Sequence, residues 1–185
     1  GASDVAFSGG AVKVLGAKRV DSGALELTVL SSAGALSTAK VAVKGVDAGT
    51  ITLAPRIDRI AVVPEVGRAR MSGGVHTPAE GVQFEAIAYA RSGGRDVALG
   101  PVPATFRLAE QKTRDGDDDM TWLGTILPNG SYLPTVDYAP NPKRTYQGEN
   151  SGLVKVLARY KRGARTYDAQ AELIVTVPDY IARIR

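Results

Sequence analysis

The sequence predicts an all-β fold built from sandwich-like domains. Three observations carry this: apolar residues recur with period two over long stretches, helical periodicity is almost absent, and Gly and Pro punctuate the chain at short intervals. Of 185 residues, 21 are glycine and 10 are proline. Hydrophobic residues make up 44% and charged residues 23%, the balance of a globular chain with a core.

The C-terminal third shows the pattern best. Val154, Val156, Ala158 and Tyr160 share one strand face, with Lys155 and Arg159 opposite and Leu157 as the exception. A turn at Lys161-Arg162-Gly163-Ala164 leads into Tyr167, Ala169, Ala171, Leu173, Val175 and Val177, which share a face opposite Asp168, Gln170 and Glu172. Two such runs around a tight turn predict an antiparallel hairpin with one buried face, and Pro178 ends it. Earlier, 57–63 reads as a strand ended by Pro64, and 83–91 alternates Phe84, Ala86 and Ala88 against Gln83, Glu85 and Tyr89. Strands are expected at 97–99, 104–108, 121–127 and 131–134. Pro128-Asn129-Gly130 supplies the turn before the last of these, because Asn and Gly tolerate positive φ. Short strands are expected near 12–20, 25–30, 39–44 and 50–53. A boundary is expected at Ala54-Pro55-Arg56, giving a small, incomplete-looking domain over 1–56 and a larger one over 57–185. The surplus of the larger domain falls in two expected loops, 65–81 and 139–151.

Composition restricts the chemistry. The chain has no cysteine and one histidine, His76. Without cysteine there is no disulfide framework, thiolate nucleophile or Cys-based metal site. His76 lies in a Gly-rich stretch without the context of a catalytic triad, and reads as an exposed loop residue. Phosphate-cradling motifs are missing around Ser8-Gly9-Gly10 and Ser92-Gly93-Gly94. Glu80, Glu85, Glu110 and Glu149 form no recognisable acid/base pair in the sequence. The net charge of +4 is carried by scattered basic residues. Their densest group is Lys155, Arg159, Lys161, Arg162 and Arg165, which reads as a solvated hairpin tip, with an anionic partner as the competing reading. The acidic run Asp115-Gly116-Asp117-Asp118-Asp119 reads as a solvated loop. Asp115, Asp117 and Asp119 are its calcium candidates, although the glycine falls at the second place where a full calcium loop needs it at the sixth, and Ile126 stands at the twelfth, where the loop needs Glu. No apolar run approaches the roughly 20 residues of a membrane span. Gly1-Ala2-Ser3-Asp4 reads as a processed or cloned start.

Several segments in order carry a resemblance. They are Ala104-Thr105-Phe106, Asp117-Asp118-Asp119 with Leu123-Gly124-Thr125, and Asn129-Gly130-Ser131-Tyr132-Leu133-Pro134. Pro140-Asn141-Pro142-Lys143-Arg144, Asn150-Ser151-Gly152 and Ala171 through Tyr180 follow. This order resembles the C-terminal immunoglobulin-like domain of the α subunit of quinohemoprotein amine dehydrogenase, over about 57–185. The first 56 residues resemble the preceding immunoglobulin-like domain.

The resemblance implies tandem immunoglobulin-like β-sandwiches in a periplasmic enzyme that oxidatively deaminates primary amines. It implies haem c in a dihaem domain, a β-propeller subunit, and a small subunit bearing a tryptophan-derived quinone. The chain has no CxxCH motif and no cysteine for a Cys-linked quinone, so no cofactor is expected in it. No catalytic residue carries over. The expected role is structural, with other domains or subunits as partners, no nucleic acid and no membrane span. The chain reads as a C-terminal fragment or a free-standing relative. Contact candidates are Pro140, Asn141, Pro142 and Arg144 in a proline-stiffened loop, and Tyr180 in the tail. The alternative is a bacterial immunoglobulin-like adhesion or surface-binding module. A hydrolase in its own right comes third.

Overall fold

The computed structural model describes residues 4–9, 12–19, 25–32, 34–72, 77–113, 115–135 and 151–177. Fifteen strands and one short helix lie within them. The first five strands are β1 (Val5–Ser8), β2 (Val12–Arg19), β3 (Leu25–Ser31), β4 (Ser37–Val43) and β5 (Val46–Leu53). Next come β6 (Arg59–Val63), β7 (Val66–Arg70), β8 (Val82–Gln83), β9 (Glu85–Ser92), β10 (Arg95–Val102) and β11 (Thr105–Glu110). The one-turn helix α1 (Asp119–Trp122) follows, then β12 (Gly124–Ile126), β13 (Ser131–Pro134), β14 (Gly152–Arg162) and β15 (Arg165–Thr176). The fold is all-β, with its strands arranged in several sheets.

Two compact units divide the chain. One joins Gly1–Asp58 with Tyr89–Leu99, and the other joins Arg59–Ala88 with Gly100–Arg185. In the first, β1, β4 and β5 form a three-stranded antiparallel sheet and β2 pairs with β3 as a hairpin. Ala39, Leu53, Ile57 and Ala90 are its buried apolar residues among those described.

The second unit holds the larger core. Its main sheet has the order β11-β14-β15-β7. The β14–β15 pair runs in continuous antiparallel register from Gly152↔Val175 to Arg162↔Arg165. Val154, Val156, Ala158, Ala171, Leu173 and Val175 are buried on one face, as period two requires. Facing them, β6 contributes Ile60 and Val62, while Ala86 and Ala88 of β9 belong to the same core. A small sheet, β12-β13-β8, adds Tyr132.

Two local expectations are corrected. Residues 65–81 are not one long loop, because 66–70 form β7. That strand pairs in parallel with the C-terminal half of β15, from Val66↔Glu172 to Arg70↔Thr176. Residues 121–127 are not one strand either. Asp119–Trp122 turn as α1, and only Gly124–Ile126 are extended.

Tyr132 shows how the core handles a polar atom. Its ring is fully buried and its hydroxyl donates to the Leu123 carbonyl at 2.6 Å. Burial pushes the phenol well above its ordinary value. The folded state therefore keeps the proton at pH values where the unfolded phenol has lost it. This contribution to stability is complete below about pH 10 and declines as the pH rises further. Tyr132→Phe should cost about 1 kcal/mol near neutrality and flatten this alkaline decline, as read by urea unfolding across the pH range.

Candidate functional site

A cluster of polar side chains in the larger unit gathers where β11 ends, α1 turns and β14 begins. Backbone geometry imposes the arrangement. The chain leaves β11 at Glu110 and re-enters the fold at Asp119 as a single helical turn. Thr121 N–H donates to the Asp118 carbonyl at 3.0 Å and Leu123 N–H to the Asp119 carbonyl at 3.1 Å. The Trp122 indole N–H donates to Asp118 Oδ2 at 3.2 Å.

Three carboxylates converge there. Glu110, Asp117 and Asp119 each offer an oxygen, and these atoms lie within 4.8 Å of one another. Each carboxylate also has one oxygen committed to a backbone donor. Glu110 Oε2 accepts Met120 N–H at 3.0 Å. Asp117 Oδ2 accepts Thr113 N–H at 2.9 Å and the Thr113 hydroxyl at 2.7 Å. Asp119 Oδ2 accepts Leu153 N–H at 3.0 Å. Among the described residues, Glu110 Oε1 and Gln111 Oε1 are buried without a hydrogen-bond partner. The cluster therefore clasps β11, the acidic loop, α1 and β14 together. It also supplies three of the six to eight hard oxygens that calcium takes.

The solvated-loop reading of the acidic run is corrected at its end. Asp115 is exposed, Asp117 half-buried, and Asp119 is 3% exposed. Asp115 is not one of the three converging carboxylates, and Glu110 takes that place. Sequence spacing did not nominate Glu110 for this cluster because it closes a strand, on the far side of a loop. Elsewhere, Glu80 pairs with Arg70 at 3.0 Å and Glu85 is exposed. His76, Pro140, Asn141, Pro142, Arg144, Glu149 and Tyr180 lie outside the described residues.

The residues present do not fit the redox groups implied for the resembled enzyme. With no cysteine and one histidine, the chain has no donor set for covalent haem attachment or a Cys-linked quinone. Among the described residues, no helix is long and apolar enough to cross a membrane.

Comparison with known proteins adds a family. A structure of mouse clustered PcdhgC3 EC1-3 is similar at a TM-score of 0.42 and 17% identity, covering 95% of this chain and 56% of that one. Protocadherin gamma B2 extracellular cadherin domains 1–5 are similar at a TM-score of 0.39 and 14% identity, covering 96% of this chain and 33% of that one. The chain thus spans about half and one third of those structures' chains. No curated protein sequence matches it. The model of quinohemoprotein amine dehydrogenase, alpha subunit domain IV, matches residues 60–183. That match takes in the whole main sheet, the carboxylate clasp and the Asn129-Gly130 turn, and through it the chain belongs to the family of amine dehydrogenase α-subunit domain IV.

Proposed function

We propose that the chain is a non-catalytic scaffold module of a periplasmic amine dehydrogenase-like assembly, positioning loops against neighbouring domains or subunits. The observation that carries the reading is the family match across 60–183. Its chemistry agrees from an independent side. The chain has no motif-supported nucleophile and no thiolate, and the carboxylates of its densest polar cluster are engaged with backbone donors. In such an assembly the oxidation of primary amines runs through haem c and a tryptophan-derived quinone held by other parts. This module supplies rigid surfaces.

The contact segments proposed are 139–151, with Pro140, Asn141, Pro142 and Arg144, and the tail 179–185, with Tyr180. Two prolines restrict the backbone of the first segment before any partner arrives, so ordering it on contact costs less entropy. Replacing 139–151 by a short Gly/Ser linker should weaken association with the haem- and quinone-bearing parts while leaving thermal unfolding of the β core unchanged. Co-purification measured by analytical ultracentrifugation checks this. Association of unchanged strength would remove the segment from the interface.

A further inference from the structure

The face of the main sheet turned away from the core carries a groove of about 620 Å³ across β11, β14 and β15. That volume is within the range of ligand-binding clefts. Alternation places Thr105, Arg107, Leu157, Arg159, Asp168 and Gln170 on this face, in the register rows Thr105–Arg159–Asp168 and Arg107–Leu157–Gln170. Leu157, the exception in the sequence pattern, is the half-buried apolar floor.

The two arginines are in different states. Arg159 is held in a fork by Asp168, Nε to Oδ1 at 2.7 Å and Nη2 to Oδ2 at 3.1 Å. Its hydrogen bonds hold the Asp168 carboxyl below the usual carboxylate range, with the charge of Arg107 adding to the effect. The Arg107 guanidinium is exposed and is not part of this fork. Its guanidinium carries a planar set of donors next to Leu157 in the register row, with Gln170 on the strand beyond. The surrounding field is positive. Arg107, Lys155, Arg159 and Lys161 stand on this face against Asp168 and Glu172, and Arg162 and Arg165 follow at the hairpin tip.

We propose that this groove docks an extended acidic segment of a partner protein. One carboxylate is received by Arg107, and the aliphatic stem beside it lies over Leu157. The guanidinium fork matches a carboxylate in two parallel hydrogen bonds, and the clamped Arg159 adds charge without having to be ordered on binding. The proposal rests on the scaffold reading and names one surface through which that scaffold would work.

The test uses the full chain and a hexaglutamate peptide, followed by NMR amide shifts and titration calorimetry. Shifts are expected at Thr105, Arg107, Leu157 and Gln170. Arg107→Glu should weaken binding roughly tenfold or more, and Arg107→Lys should weaken it less. Lys13→Glu, in the other unit, should leave binding unchanged. Unchanged thermal unfolding of each variant shows that the fold is kept. Shifts confined to other surfaces, binding indifferent to Arg107→Glu, or tighter binding of an oligonucleotide of equal charge at this face would each overturn the proposal. The two readings fail separately. If the chain assembles normally with haem- and quinone-bearing parts when it carries Arg107→Glu, and binds no hexaglutamate without the change, the groove is wrong and the scaffold stands. If the unaltered chain joins no such assembly, the scaffold reading itself fails.

Discussion

Gly130→Ala should destabilise the larger unit by about 3–4 kcal/mol, lowering its unfolding temperature by roughly 10 °C. Two costs add. Gly130 has φ +86, where a side chain strains the backbone. An added Cβ would also run into the Phe84 carbonyl oxygen and approach Phe106 Cε2 at 3.1 Å. The neighbours cannot yield cheaply, because Phe84 is fully buried and its N–H donates to the Gly130 carbonyl at 2.9 Å. Gln83 Nε2 ties the same two segments by donating to the carbonyls of Asn129 at 2.9 Å and Phe84 at 3.0 Å. Gly163→Ala separates the two costs. Gly163 has φ +59 with open space around it, so only the backbone term of about 1 kcal/mol remains. Thermal unfolding of both variants provides the comparison. Equal losses would mean that the Phe84 contact contributes nothing.

Asp119→Ala should cost about 2–3 kcal/mol. The carboxylate is buried and takes the Leu153 N–H at the first residues of β14, so its removal strands a donor at the edge of the core. Asp119→Asn keeps an acceptor oxygen and should cost about 1 kcal/mol. Gly152→Ala should act on the same contact from the other side, since its Cβ would collide with Asp119 Oδ2. Because Asp119 and Gly152 share that contact, the double variant should lose less than the sum of the single losses. Urea unfolding of the three variants and the pair measures this coupling. Strict additivity would place the two residues in independent environments.

How much of this was legible in the sequence depended on which signals are local. The β14–β15 hairpin was, because each strand buries one face and the alternation runs long enough to show it. The turn at Asn129-Gly130 was legible from its residue types, although its collision partner Phe84 was not. The strand β7 was hidden for a physical reason. Its inward residues are Gly67 and Ala69, which leave no apolar alternation to read. They are small because the space is taken: a Cβ at Gly67 would strike the Phe84 ring. Its parallel partner lies about a hundred residues away in β15. The helix α1 has only four residues, too few for a period of 3.6 to appear. The carboxylate clasp is a tertiary product. Asp117 and Asp119 stood out as part of a run, but Glu110 joins them only because β11 and β14 are neighbours. The groove likewise needs three strands in register before Arg107, Leu157 and Gln170 line up.

The proposed scaffold function is that this chain holds other parts together and leaves the chemistry to them. Its most direct test is to purify the chain under native conditions from the cells that make it and to measure haem c by absorbance against the amount of chain. A fixed stoichiometry of haem c, with amine-dependent reduction of that haem and none of either in the isolated chain, is the expected result. A chain that purifies without haem-bearing partners, or that oxidises a primary amine alone, would contradict it.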